Sequence, residues 1–256
     1  MKRRRKTVIA GPLVKIVEYT PQMPRDKGLT RSARRKATDE AHKALNHRTA
    51  QGRLEEKLAM NFSSRDYFAT FTYRPGEEPA TRKEAKAQQA QYIRRLRDAR
   101  KRRRQPLQWV FAIENKHGEA RYHSHAIINS TGSEADKEEI ISLWEHGNVH
   151  IERLFNEAHD NGEDFNTWLQ VARYMTKERP EDGPDTTPNG AQLYSCSRNL
   201  QRPIVITEWI SSREYIEIPP GAVGIERSET ETEFSTFKYC RYMKEPLKPA
   251  AKATTQ

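Results

Sequence analysis

Two histidines separated by a single residue lie in the segment EARYHSHAIIN, residues 119–129, whose composition is typical of a β-strand. Because side chains alternate along a strand, His123 and His125 are expected to face one side of a sheet while Ser124 faces the other. Two imidazoles that converge on one point are suited to binding a divalent metal ion. A carboxylate on the same face of a neighbouring strand would complete a three-ligand site.

Glu114 is the carboxylate that could complete this site. It lies in QWVFAIEN, residues 108–115, which predicts a strand joined to the histidine strand by a short loop, and hence a hairpin. With the turn centred just after His117, or one residue further on, Glu114 faces Arg121 or His123 and shares the histidines' side of the sheet. A slip in register would send it to the opposite face. The sequence therefore predicts this glutamate and the two histidines as candidate metal ligands.

A second candidate group lies in VARYMTKE, residues 171–178, which predicts part of a helix. Tyr174 and Lys177 are three residues apart and therefore lie on nearly the same helix face. A tyrosine whose phenol points at a metal-bound phosphate can attack it, and a nearby ammonium can stabilise the phenolate or the phosphate charge. On its own, such a pair is more often an amphipathic tyrosine at a helix edge beside a solvated lysine.

Other patterns predict the elements that must position these residues. The order predicts an α+β fold, in which a central antiparallel sheet has helices packed on one face. The predicted elements outside the hairpin are a strand at 65–73, a basic helix at 81–104 begun by a capping box of Thr81 and Glu84, a helix capped by Ser133 and ended by Gly147, a strand at 148–154, a helix from Asp164 to before Pro180, and a strand at 204–210.

Positive charge is concentrated in two parts of the 256-residue chain, whose formal net charge is +10. Residues 1–60 carry 16 Lys or Arg against 6 acids, and residues 81–104 carry 11 against 2. Residues 105–256 carry 16 against 24 and are net negative. This distribution indicates phosphate-contacting arms and one basic helix, and hence a nucleic-acid partner, rather than a uniformly cationic surface.

Composition also bounds the cellular setting. Cys196 and Cys240 are the only cysteines and form no CxxC pair, so neither a disulfide framework nor a cysteine zinc site is indicated, and a reducing cytoplasm fits best. No stretch approaches the roughly 20 apolar residues of a membrane helix, so no membrane association is expected.

Three regions are expected along the chain. Residues 1–60 predict a basic arm, extending to about residue 30, followed by a helix from Ser32 to Ala59. Residues 61–212 would form the catalytic domain. Residues 213–256 would be a C-terminal extension that ends in a disordered tail.

Three motifs in this order resemble the rolling-circle replication initiators of the His-hydrophobic-His endonuclease superfamily. They are the strand FATFTY, Glu114 nine residues before HSH, and a helix with YMTK about fifty residues later. More narrowly, the chain resembles the replication-associated proteins of small bacterial plasmids and filamentous phages. The segments WEHGNVHIERL and YSCSRNLQRP belong to this resemblance, which covers roughly residues 60–210.

The resemblance implies a ferredoxin- or RRM-like sheet and a role for each candidate residue. Tyr174 would nick one DNA strand, becoming joined to the 5′ phosphate and leaving a 3′ hydroxyl as primer. His123, His125 and Glu114 would bind Mg²⁺ or Mn²⁺, and Lys177 would assist at the tyrosine. The partners would be single-stranded or hairpin origin DNA and the helicase and polymerase of a bacterial host, in whose cytoplasm the protein would act; the oligomeric state is not implied.

The sequence departs from the superfamily pattern between the histidines. Ser124 stands where the superfamily usually has a bulky apolar residue, and we expect an effect on packing rather than on chemistry because this side chain faces away from the metal. Position 178 is Glu, so the helix carries a single tyrosine. This places the chain with the single-tyrosine initiators.

Two other classes of function remain open on the sequence alone. A single-tyrosine transposase or a conjugative relaxase uses similar chemistry, although relaxases usually carry a third histidine near the pair and such transposases are typically shorter. A non-catalytic nucleic-acid-binding protein would use the sheet as a binding surface, with the histidines in packing or stacking roles. That reading predicts binding that survives metal removal and forms no covalent adduct.

Overall fold

The structure is a computed structural model that describes residues 3–21, 39–115, 122–155, 167–176, 192–211, 213–231 and 236–245. The predicted α+β class is confirmed, because the described residues form helices and antiparallel sheets. They divide into two compact units: one combines residues before 62 with residues 201–246, and the other spans 62–200.

The strands and helices are numbered in chain order. They are β1 (Arg3–Ala10), β2 (Leu13–Tyr19), α1 (Asp39–Asn61), β3 (Tyr67–Phe71), α2 (Arg82–Arg102), β4 (Trp109–Asn115), β5 (Tyr122–Ile128), α3 (Asp136–Ser142), β6 (Val149–Arg153), α4 (Trp168–Met175), β7 (Ser195–Cys196), β8 (Ile204–Ile210), β9 (Val223–Glu231) and β10 (Thr236–Met243).

The first unit contains a five-stranded antiparallel sheet that the sequence did not predict. Its strand order is β8-β1-β2-β10-β9, so it joins strands from both ends of the chain. The expectation of a basic arm is wrong for residues 3–19, which form the β1–β2 hairpin. The strand at 204–210 was expected in the sheet with the histidines, but it pairs with β1.

The charges that suggested an arm have partners inside this unit. Arg5 donates to Glu18 at 2.8 Å across the hairpin, and Lys15 lies 2.7 Å from Glu55 of α1. Arg241 of β10 also pairs with Glu55. Because these cations are paired and largely buried, they are compatible with strands. The helix predicted at 32–59 is α1, described from residue 39 onward, and the predicted tail at 247–256 lies outside the described residues.

The second unit contains the sheet that carries the histidines, with strand order β6-β3-β5-β4-β7. On one face α2 and α3 bury an aromatic core in which Phe71 lies against Tyr92, Phe111 and Trp144, with ring centroids 4.9 to 5.3 Å apart. The prediction that all helices pack on one face is wrong, because Tyr174 of α4 contacts Phe68 and His125 on the opposite face.

The basic helix and the helix after the hairpin differ in how well their ends were predicted. Thr81 accepts a hydrogen bond from the Glu84 amide at 3.2 Å, as expected, although the Glu84 carboxylate accepts from Ala80. Helix α3 is shorter than predicted and has Ala135 at its N-cap, without a side-chain cap. The Ser133 hydroxyl accepts from the Ala135 amide instead.

Gly147 does not end helix α3, as was expected; its role is to allow a close backbone approach. Helix α3 ends at Ser142. A Cβ atom at position 147 would collide with the Thr72 carbonyl at the end of β3. The same segment hydrogen-bonds this extension, because Thr72 and Arg74 donate to the carbonyls of Asn148 and His146. The glycine therefore lets the segment before β6 continue its pairing beyond β3.

We expect Gly147→Ala to lower the free energy of unfolding by about 1–3 kcal/mol, because the added methyl group must displace backbone. Gly52→Ala is the matched control. Gly52 lies within α1 and a Cβ there would meet only the Lys15 Nζ atom at 3.7 Å, so the change should stabilise by about 0.5–1 kcal/mol. Urea unfolding followed by circular dichroism measures both. Equal effects of the two substitutions would contradict the close approach.

Candidate metal and tyrosine site

The register of the β4–β5 pair places the three predicted ligands together. Glu114 lies directly opposite His123, and Ala112 lies opposite His125. Directly opposed residues of an antiparallel pair share one face, so the carboxylate and both imidazoles project from the same side of the sheet. Within the part of the chain that the structure describes, these three residues form a group whose ligand atoms all lie within 4.8 Å of one another. We call Glu114, His123 and His125 the triad.

The distances within the triad suit a divalent ion. The Glu114 Oε2 atom lies 3.1 Å from Nε2 of His123 and 3.1 Å from Nε2 of His125. Adjacent ligands of an octahedral ion at about 2.1 Å are separated by about 3.0 Å. His125 is almost fully enclosed, with 3% of its side chain exposed, whereas 22% of His123 is exposed. One side of the triad is therefore open to a substrate.

The same contacts favour the ionised form of Glu114. Burial by itself raises the pKa of this carboxyl, but hydrogen bonds from His123 and His125, together with their charge, outweigh burial and lower the pKa to about 2. Metal ligation requires a deprotonated carboxylate. The site therefore keeps Glu114 ready to bind a cation at any pH near neutrality.

Thr70 of β3 contacts the other nitrogen of His125. Its Oγ1 atom lies 3.1 Å from His125 Nδ1, and the register places the two residues opposite each other. A hydroxyl can donate to an imidazole nitrogen or accept from an imidazole N–H. When His125 Nε2 carries its proton and donates to Glu114, Thr70 donates to Nδ1. When Nε2 binds a cation, the proton must lie on Nδ1, and Thr70 accepts it.

Sequence analysis missed this role of Thr70, which it treated as part of a structural strand. Neither motif alone places the threonine beside the histidine, because β3 and β5 are more than fifty residues apart in the chain. The alternation of FATFTY was the available signal. It puts Thr70 and Phe68 on one face, and Phe68 stacks on His125 with ring centroids 5.6 Å apart.

Helix α4 brings Tyr174 to the triad. The helix starts later than predicted, because Thr167 and Gln170 form a capping box that begins it at Trp168 rather than at Asp164. The Tyr174 ring lies edge-on to His125, with centroids 4.8 Å apart and an interplanar angle of 63°. It also contacts Phe68 at 5.8 Å. The tyrosine therefore lies beside the most buried member of the triad, while Lys177 lies outside the described residues.

An antiparallel sheet that presents two histidines, a carboxylate and a tyrosine on one face defines an α+β domain with a combined metal and tyrosine site. Residues 66–179 match the family described as replication-associated proteins of the ORF2 type. This part of the chain is therefore a domain of that family, consistent with a rolling-circle replication initiator, and the resemblance seen in the sequence is confirmed at that level. The matched span includes the triad, Tyr174 and Lys177.

No curated protein and no solved structure matches the chain. Among the described residues, no helix combines the length and the apolar composition that crossing a membrane requires. The family match is thus the comparison that bears on function, and the geometry of the site carries the argument about chemistry.

We expect Thr70→Val to weaken Mn²⁺ binding by about 10- to 100-fold, the usual effect of removing a hydrogen bond to a metal-binding histidine. Valine keeps the shape of the side chain and removes the hydroxyl that fixes the His125 ring. Isothermal titration with Mn²⁺ measures the change. Thr72→Val is the control, because Thr72 loses a hydroxyl bonded to the Asn148 carbonyl and contacts no triad residue. Equal losses in both variants would contradict the role of Thr70.

The pKa of Glu114 predicts the acid dependence of stability without metal. The pKa is about 2 in the folded protein and 4.5 ordinarily, so the unfolded chain takes up this proton first as the pH falls. The stabilisation from ionised Glu114 is present above about pH 4.5 and is lost as the pH falls from there towards 2. Urea unfolding in EDTA should therefore show a steeper acid loss of stability in the native protein than in Glu114→Gln. Glu138→Gln, which removes an exposed carboxylate of α3, should retain the native slope.

Proposed function

We propose that the protein nicks single-stranded DNA at a replication origin through a 5′-phosphotyrosine intermediate and so initiates rolling-circle replication. The observation that carries this proposal is the position of the Tyr174 ring against His125 of the triad. A metal-binding group and a nucleophile must lie side by side for a strand transfer to tyrosine. Membership of the replication-associated family supports replication as the setting.

The triad would hold one Mg²⁺ or Mn²⁺ ion. Two imidazoles and one carboxylate can bind Mn²⁺ and leave further positions for water or phosphate oxygens. When bound, the ion would neutralise charge on the scissile phosphate and orient it. The chain's own contribution is to hold the ligands: β4 and β5 fix their separation, and Thr70 fixes the orientation of His125.

Tyr174 would supply the nucleophile. Its phenolic oxygen forms the new bond to phosphorus as the bond from phosphorus to the 3′ oxygen breaks; the phenol loses its proton and the departing 3′ oxygen gains one. The DNA is left with a free 3′ hydroxyl and a 5′ phosphate joined to the protein. Because one phosphodiester replaces another, the bond energy is retained and the nick can be resealed. Lys177 would stabilise the charge of the phenolate or phosphate.

The products define the partners. The substrate would be a single-stranded or hairpin origin in plasmid or phage DNA within a bacterial cytoplasm. The free 3′ hydroxyl would be extended by a host polymerase while a host helicase opens the duplex. The sequence holds no GxxxxGK[ST] phosphate-binding loop, which is consistent with a helicase supplied in trans.

Two alternatives use the same residues differently. A single-tyrosine transposase or relaxase would form the same adduct, and the family match favours replication over both. A non-catalytic nucleic-acid-binding protein would need no ionised carboxylate between two histidines, whereas Glu114 is held ionised there. These observations favour the nicking enzyme.

The test is incubation of the purified chain with labelled single-stranded fragments tiling the DNA element that encodes it, plus Mn²⁺, followed by denaturing electrophoresis. We expect a labelled band that migrates with the protein. The band should be absent with Tyr174→Phe and with EDTA, and Lys177→Met should weaken it without abolishing DNA binding. Tyr194→Phe is a matched control, since Tyr194 lies away from the triad, and should retain the adduct.

Two outcomes would overturn the proposal. Tight DNA binding without an adduct on any fragment would leave the triad in a structural role and favour the binding protein. An adduct that persists in Tyr174→Phe would assign the nucleophile to another residue. Peptide mapping of the digested adduct identifies the residue in either case.

A further inference from the structure

A groove runs along one side of helix α2, on the sheet face opposite the triad. Two adjoining hollows share Ile93 and Trp109, and both are walled by the segment 192–199. The larger hollow has a volume of about 1110 Å³, which exceeds the roughly 300–1,000 Å³ typical of a small-molecule site. Trp109 alternates with the triad-facing residues of β4, so the groove and the triad lie on different faces. We call this feature the α2 groove.

The groove is positively charged along its whole length. Its lining contains six cations and no acidic residue: Arg82, Lys86, Arg97, Lys101, Arg104 and Arg198. Five of the six belong to α2 or directly follow it and recur at helical spacing, so they form one stripe that extends over about 33 Å. A stripe of this length matches a linear polyanion better than a single phosphate group.

The floor of the groove is apolar and aromatic. Ile93 and Trp109 lie at the point where the two hollows meet, and Tyr194 and Leu193 lie on the wall. Cations along the rim and a half-buried aromatic ring on the floor are the combination that binds single strands, because unpaired bases stack on the ring while phosphates meet the cations. A duplex offers no free base to Trp109.

Gln89 supplies an independent sign that the groove holds a ligand. This side chain is 5% exposed and lines the groove, yet its Nε2 atom has no hydrogen-bond partner among the described residues. A buried amide donor without a partner is costly. A phosphate oxygen or a base carbonyl in the groove would satisfy it.

Arg104 is held in the groove by an unfavourable backbone conformation. Helix α2 ends in a Schellman motif, in which Arg104 N–H donates to the Lys101 carbonyl and Gln105 N–H donates to the Arg100 carbonyl. The residue with positive φ in this motif is usually glycine, but here it is Arg104, at φ 56°. A local cost to stability is often maintained where the side chain has a function.

We propose that the α2 groove binds a single-stranded segment of DNA outside the nicking site, with phosphates on the cationic stripe and one unpaired base stacked on Trp109. The proposal rests on the proposed function for the class of substrate. It adds a second contact region, on the opposite face of the sheet from the triad. A strand bound in both places would pass around the edge strand β7.

The first experiment measures binding of labelled oligothymidine, 20 nucleotides long, to the full chain carrying Tyr174→Phe in EDTA. Fluorescence anisotropy is recorded over a range of salt concentrations. Arg97→Gln is compared with Arg102→Gln, which makes the same chemical change on the same helix about 140° around its axis and outside the groove. We expect Arg97→Gln to reduce the slope of log affinity against log salt by about 0.7, the contribution of one phosphate contact, and Arg102→Gln to leave it unchanged. Equal slopes in the two variants would overturn the proposal.

Arg104→Gly separates binding from folding. Glycine adopts the positive φ without strain, so this variant should have a higher Tm than the parent. Its affinity for oligothymidine should nevertheless fall several-fold. A higher Tm with unchanged affinity would remove Arg104 from the binding surface.

The third measurement tests stacking on Trp109. In a Trp209→Phe background the remaining tryptophans are Trp109 and the buried Trp144 and Trp168, so quenching by oligothymidine reports Trp109. We expect quenching that is lost in Trp109→Leu and absent with a hairpin duplex of the same number of nucleotides. Equal affinity for the duplex without quenching would overturn the single-strand assignment.

These measurements require neither metal nor cleavage, so they fail independently of the nicking proposal. Loss of binding in the groove variants with no adduct from the native chain would retain the groove and overturn nicking. A normal adduct with groove variants that bind like the parent would retain nicking and overturn the groove.

Discussion

The hydrogen-bonding register between β4 and β5 is the constraint on which the rest of the site depends. With Glu114 opposite His123, one carboxylate oxygen lies 3.1 Å from both imidazoles. A shift of one residue would turn Glu114 towards the aromatic core and leave two histidines without a carboxylate. The outer strands then act on a pair that is already in register: β3 adds Thr70 beside His125, and the opposite edge of β4 carries β7.

The sheet separates stability from chemistry by face. Aromatic residues and helices α2 and α3 cover one face, where Phe71 and Tyr92 are fully buried. The other face carries polar groups that must approach a substrate, and the short helix α4 covers only part of it. Because alternate residues of the same strands serve the two faces, packing of the core fixes the positions of the triad residues without contact between core side chains and substrate.

The hairpin and its triad were predictable from sequence because the two strands are adjacent in the chain and their alternation is regular. Thr70 was not, because its contact with His125 depends on which strands become neighbours, and that depends on the packing of distant segments. The first sheet was missed for a related reason: its strands come from both ends of the chain, and alternation was hidden by charges such as Arg5 and Lys15 whose partners were unknown. Local patterns give elements, and non-local pairing gives their neighbours.

Ser124 shows how this division of faces accommodates a departure from the superfamily pattern. Its side chain lies between the two histidines in sequence but points into the core, where it is 3% exposed and opposite both Phe71 and Ile113. The large rings of Phe71 and Phe111 lie 5.3 Å apart in this core. A small residue on the central strand therefore leaves volume to its neighbours on the same face. Since the neighbours supply the apolar surface, the identity of residue 124 can change without moving the ligands on either side of it.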